Sequence, residues 1–347
     1  MIGGILCGLS SAFSQSFSYL FTRHFVHTRG PGASRDLFIL GHLWMGLFGG
    51  IGLLFLWPAH AHLLLDWPVL WPLLGTSLFY LSGQAGLTYA LRYAEASRVT
   101  PLLGLKVMLQ TLVILAFGMP SGAVGDRFLT AFQWLAVALC CVGAISLNYS
   151  GGRMHPRALA GTTWALFNFV LSDYHIALLV AALIKHGGLP IGHAAPLGAC
   201  LQYATSGLIA LPLLALVHDR SARTFRAAAP FAITWFGAML FLFATIGMVG
   251  VILGTILQST RGVMTILIAS AAARLGQVHI EPLHGRGVVL RRIAAGSLMF
   301  AAVTLYVIKD PRSIKLSDGA GEGLRGVPWS HRITICCSPA DSCAKTA

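Results

Sequence analysis

Lys106 is the residue whose type and position most directly call for a chemical role. It has apolar neighbours on both sides, well inside a run long enough to cross a membrane. A cation at that depth costs several kcal/mol unless it meets water or a partner, so it marks a functional site by default. At helical spacing Arg98, Leu102, Lys106 and Gln110 share one face, polar along much of its length. Arg261 presents a similar case, with Gln258 and Thr265 on one face of a later apolar run. Asp173, Tyr174 and His175 fall together in another, which makes Asp173 a counter-charge for Lys106 or Arg261. Protonation of Asp173 or His175 would change the cost of burying it, so both are candidates for coupling transport to protons.

Neutral hydrogen bonds to a ligand can come from Tyr80, Gln84, Tyr89 and Asn168, although glue between helices would use the same residues. The candidate substrate-binding set is therefore Lys106, Gln110, Arg261, Gln258, Gln84, Tyr80 and Asn168, and the coupling or gating set is Arg98, Asp173 and His175. Structural alternatives stand beside these. Lys106 can snorkel or form a structural ion pair, and Arg261 can bond headgroups or helix ends. Two arginines and a lysine against few buried acids make the expected cavity electropositive, and hence suited to a carboxylate or another anionic group.

The elements that must hold these residues follow from composition. The 347 residues are 56% hydrophobic and 10% charged, against roughly 25% charged in a soluble domain. Too little polar surface remains to coat a water-soluble globule, so the chain is expected to live in a bilayer. Its formal net charge of +13 is confined to links and ends, where it serves orientation and lipid contact rather than nucleic-acid binding. The cysteines form no C-x-x-C pair and no His stands at zinc-ligand spacing, so no metal or other cofactor is expected. Trp44, Trp57, Trp67, Trp71, Trp134 and Trp164 lie mostly near run ends, as interfacial anchors do.

Counted against a span of roughly 20 residues, the charge-free runs give about ten membrane helices. They lie near residues 2–21, 37–57, 72–93, 97–117, 129–147, 158–184, 195–217, 230–252, 255–275 and 288–308. Residues 1–20 read as a first span, because no basic n-region or A-x-A site marks a removed signal peptide. Residues 148–156, NYSGGRMHP, form a Gly-rich basic linker that divides residues 1–150 from 151–308; residues 309–347 read as a polar, disordered tail. An elbow carrying Arg92, Glu95 and Arg98 joins the third and fourth spans, and Thr260-Arg261 is read as the counterpart of Ser97-Arg98 in a second elbow. On that alignment Arg98 and Arg261 would guard opposite mouths of one cavity. The expected fold is an all-α membrane protein of about ten transmembrane helices in two inverted five-helix repeats, with the substrate held near the midplane.

In this light the chain resembles the drug/metabolite transporter superfamily, in particular its ten-helix EamA-like branch. The resemblance rests on LTYALRYAEASRVTPLLGL (residues 87–105), on GDRFLTAFQWLAVALCCVGAISL (125–147) and on LQSTRGVMTILIA (257–269). Two departures stand out: Asp126 where that branch has Glu, and a longer second link, GQVHIEPLHGRG, at residues 276–287. The resemblance implies a carrier of small organic solutes working by alternating access, often coupled to protons or a counter-substrate.

Arginines concentrate in the odd-numbered links, which places those links in the cytoplasm and both termini outside; the resemblance implies cytoplasmic termini instead. The expected function is a secondary transporter, an exporter or exchanger, of small organic metabolites with an anionic group. It would be a multi-pass protein of the plasma (inner) membrane, monomeric or homodimeric, with the bilayer and a small-molecule substrate as partners and protons as a candidate coupling ion. A non-transporting receptor or assembly factor is the alternative. An intramembrane enzyme is disfavoured, because the sequence has no G-x-S-x-G, His box or aspartyl pair.

Overall fold

The computed structural model describes residues 1–30, 32–57, 66–118, 129–149, 154–274 and 286–308. All of them belong to one compact unit, Met1–Lys309. The expected tail, the link around Asp126 and residues 150–153 of the Gly-rich linker lie outside the described residues. No strand occurs among the described residues. The helices are α1 (Ile2–Arg29), α2 (Ala33–Leu56), α3 (Trp67–Tyr93), α4 (Ala96–Leu102), α5 (Lys106–Phe117) and α6 (Ala131–Tyr149), then α7 (Pro156–Lys185), α8 (Ile191–Ala210), α9 (Ala222–Val249), α10 (Val251–Ser259), α11 (Arg261–Arg274) and α12 (Arg286–Ile308).

Among the described residues, five segments are long and apolar enough to cross a membrane: Ala33–Leu56, Ala96–Phe117, Pro156–Lys185, Ala222–Val249 and Val251–Arg274. The outward faces are apolar as well, with Leu54, Phe55 and Leu208 largely exposed. In water such a surface would be an aggregation liability, whereas in lipid tails it is at no disadvantage. The fold therefore has the character of a helical membrane protein.

Helices from the two ends of the sequence pair with each other. α1 runs along α9, α3 along α7, α2 along α8 and α6 along α12. Lipid provides no hydrophobic drive between helices, so close approach must come from small residues. α2 and α8 achieve it at Gly46 and Gly207, where a Cβ on Gly46 would stand 2.7 Å from the Gly207 Cα. Polar residues meet across other pairs, as in the 2.7 Å bond between the Ser18 and Thr234 hydroxyls on α1 and α9.

Several boundaries depart from the sequence expectation, each for a local reason. α9 begins at Ala222 rather than near Pro230, because the Ser221 hydroxyl accepts a hydrogen bond from the Thr224 N–H and caps the helix two turns earlier. It ends at Val249, where Gly250 adopts φ of 83°, a conformation glycine reaches without a Cβ clash. α8 stops at Ala210 and passes into a tighter 3₁₀ turn at Pro212–Leu216, since a proline there cannot continue the hydrogen-bond ladder.

Two segments are interrupted at mid-length. α4 and α5 are joined by a 3₁₀ turn at Leu103–Leu105, and α10 and α11 break at Thr260. Lys106 stands ten residues after Ala96 and Arg261 ten after Val251, so the two cations occupy the same place in their segments. This corrects the expected pairing of Arg261 with Arg98. The turn out of α9 lies at Gly250, and Thr260-Arg261 is a break inside the next segment rather than an elbow.

Candidate functional site

The two breaks bring their cations together in the interior. Lys106 opens α5 with only 2% of its surface exposed. Its Nζ donates to Asp173 Oδ2 on α7 at 2.6 Å and to Gln258 Oε1 on α10 at 2.5 Å. Arg261 opens α11, equally buried, and its Nη1 donates to Gln15 Oε1 on α1 at 2.6 Å while its guanidinium lies over the Tyr19 ring at 5.9 Å. Each break cation thus takes its oxygen from a partner helix, but the partners differ: Lys106 has a carboxylate and Arg261 has a neutral amide.

That difference fixes the charge of the centre. Asp173 cancels Lys106, and among the described residues Arg261 has no acidic partner, leaving one net positive charge. The Nε and Nη2 of Arg261 are buried without a hydrogen-bond partner. Leaving a buried charge uncompensated typically costs about 3–5 kcal/mol, far more than a surface charge. Such a cost is tolerated where a ligand supplies the missing partner.

Arg261, Lys106, Asp173 and Gln258 line one cavity of ≈ 10 Å³, room for about one water molecule. Three aromatic rings form another part of its wall. The centroids of Tyr80 and Trp235 are 6.2 Å apart, those of Phe169 and Trp235 6.4 Å and those of Tyr80 and Phe169 6.5 Å, with planes tilted by 32–41°. Trp235 is held in place by its Nε1–H, which donates to the Tyr203 hydroxyl at 3.0 Å. Ser172, Met239 and Leu242 also contribute to the wall.

Of the residues expected from sequence, Lys106, Arg261, Gln258, Tyr80 and Asp173 meet at this cavity. Gln110 lies four residues beyond Lys106 and Thr265 four beyond Arg261; both are buried with unpartnered side-chain atoms, outside the cavity wall. Gln84 is likewise buried and unpartnered on α3, away from the wall. Asn168 donates to the Trp164 carbonyl of its own helix at 2.9 Å.

Arg98 is a correction: it pairs with Glu95 at 3.3 Å near the start of α4. The 3₁₀ turn advances about 120° per residue instead of about 100°, so Arg98 and Lys106 no longer share a face. His175 also departs from expectation. Its Nδ1 bonds the Leu171 carbonyl at 2.7 Å and its ring packs against Trp71 and Phe79, so it does not reach the cavity beside Asp173.

Gln15, Phe169, Ser172, Trp235, Met239 and Leu242 complete the wall and are not among the residues expected from sequence. A signal for Gln15 existed: Ser11, Gln15, Ser18 and Thr22 form a stripe at helical spacing, and all four are buried on α1. Trp235 carried no comparable signal: it is central in α9 but stands only five residues into the run expected at 230–252, close to an end where interfacial tryptophans collect.

At one end of the bundle a second polar cluster ties α1 to the start of α9. Asp219 accepts from the Thr224 hydroxyl, and Arg29 donates to Thr224 and, at 3.5 Å, to Asp219. Chiefly through the Thr224 bond, with further bonds from Ser221 and the charge of Arg29, the Asp219 carboxyl is pushed down to about 2. Buried Asp36 closes the same corner by accepting from the backbone N–H groups of His218 and Asp219 at 3.0 and 3.1 Å.

No family model and no curated protein matches the chain. In structure it does match solved chains. One described only as "Crystal structure of protein" superposes with a TM-score of 0.55, covering 86% of this chain and 97% of its own, at 16% identity. At that identity the likeness establishes a shared fold alone.

Proposed function

We propose that the protein is a secondary transporter that moves small organic anions by alternating access. The observation that carries this reading is Arg261: a guanidinium buried at the break of a membrane helix, bonded to a neutral amide and left with two unpartnered nitrogens. An anion bound there would complete the charge balance that Asp173 already provides for Lys106.

The helix pairing supports the two-repeat layout. Counting α4–α5 and α10–α11 as one span each gives ten spans, and exchanging each span with the one five places on turns the α1–α9 contact into the α7–α3 contact. The same exchange maps α2–α8 and α6–α12 onto themselves and pairs Lys106 with Arg261. Interrupted helices meeting at the interface of two inverted repeats are the usual setting of a carrier's midplane site. This architecture agrees with the resemblance to the EamA-like branch of the drug/metabolite transporters. Arg29 and Asp219 meet at one end of the bundle and Arg23 bonds the Leu91 carbonyl near the end of α3, so Arg29, Arg35, Arg92, Arg220, Arg223 and Arg226 gather toward that end. The positive-inside rule then puts that end in the cytoplasm and residue 1 outside.

Flux into proteoliposomes tests the proposal. Unaltered protein is expected to give saturable flux of some member of a panel of hydrophilic organic acids, and Lys106→Ala is expected to lose it. A folded protein that binds such acids but moves none would be a receptor rather than a carrier, and undiminished flux in Lys106→Ala would remove the site.

A further inference from the structure

The chemistry of the cavity wall narrows the substrate, resting on the carrier reading above. Gln15 occupies the Nη1 of Arg261, so the free nitrogens are Nε and Nη2. These lie on the guanidinium edge where two N–H bonds point the same way, the fork that matches both oxygens of one carboxylate. Because Lys106 is already engaged by Asp173 and Gln258, the centre has one uncompensated positive charge. One carboxylate cancels it, and a second would be buried without a counter-charge.

The rest of the ligand meets a different surface. Tyr80, Phe169 and Trp235 present three rings that are near one another without stacking tightly, and Met239 and Leu242 add apolar wall. Aromatic groups gain from such neighbours beyond the area they bury. A substrate ammonium would compete with Lys106 for Asp173, the one acid on this wall. We infer that the preferred ligand is an aromatic monocarboxylate, its carboxylate on the Nε/Nη2 edge of Arg261 and its ring among Tyr80, Phe169 and Trp235. With room now for about one water, the ring enters when the surrounding helices part, and affinity reflects the open population.

Equilibrium binding to the purified full chain in nanodiscs separates the possibilities, using 3-phenylpropionate, hexanoate and L-phenylalanine as probes. The expected order puts 3-phenylpropionate first, with the aliphatic acid and the zwitterion each about tenfold weaker or worse. Arg261→Lys keeps the charge but removes the fork, and should weaken 3-phenylpropionate by about tenfold, with thermal unfolding as the check on folding. The probe series on unaltered protein does not depend on any variant. If hexanoate or L-phenylalanine binds as well as 3-phenylpropionate, the inference is overturned; continued flux of other organic acids would then leave the carrier reading standing. An unweakened Arg261→Lys would also overturn it, whereas absence of any anion flux in unaltered protein that still binds 3-phenylpropionate in this order would remove the carrier reading alone.

Discussion

At the scale of single residues, the centre is governed by which charges have partners. Lys106 and Asp173 form a buried pair at 2.6 Å, with 3% and 5% of their side chains exposed. Taking two charges out of water is costly, and such a pair often adds little net stability over apolar residues of the same shape; removing one member is what destabilises. Asp173→Asn should therefore lower stability by about 3–5 kcal/mol, because the Lys106 ammonium is left with neutral oxygens alone. The double replacement Lys106→Met with Asp173→Leu should recover much of that loss, though not transport. Thermal unfolding in detergent distinguishes the two, and a double variant as unstable as the single one would contradict this account. His175 shows the opposite case: two positions from Asp173 in sequence, it faces α3 instead, because residues two apart on a helix point in different directions.

Among the helices, what could be read from sequence and what could not have separate causes. Charged and amide side chains inside apolar runs are expensive, so Lys106, Asp173, Gln258 and Arg261 could be picked out before any fold was known. The breaks beside them could not be placed, since Leu105 and Thr260 carry no obligatory turn signal. Arg261 was consequently aligned one feature too early, with Arg98. Gln15 was hidden because, unlike Gln258 beside Arg261, it stands among serines with no charged residue near it in sequence. The cluster joining α1 to α9 supplies an element-level prediction. The folded Asp219 carboxyl titrates at about 2, below the usual value of about 3.9. Its contribution is thus complete above the unfolded value and is lost as pH falls through the folded one. Asp219→Asn should lower the unfolding temperature near neutral pH and show a smaller further drop between about pH 4 and about pH 2 than the unaltered protein. Parallel acid profiles for the two proteins would show that the cluster does not tie these helices.

Across the whole molecule, a polar centre is closed off inside a bundle whose outer surface is apolar. The shared architecture at 16% identity shows how far the fold tolerates sequence change, and function must therefore be argued from the site. Here the two break cations differ in one respect: where Lys106 has the carboxylate of Asp173, Arg261 has the amide of Gln15. Gln15→Glu alters that position alone, placing an acid beside Arg261 and making the centre neutral. The measurement is organic-anion flux in proteoliposomes made with this variant, alongside its thermal unfolding. The account predicts a folded protein, no less stable than the original, whose anion flux falls to background; flux equal to that of the unaltered protein would contradict it.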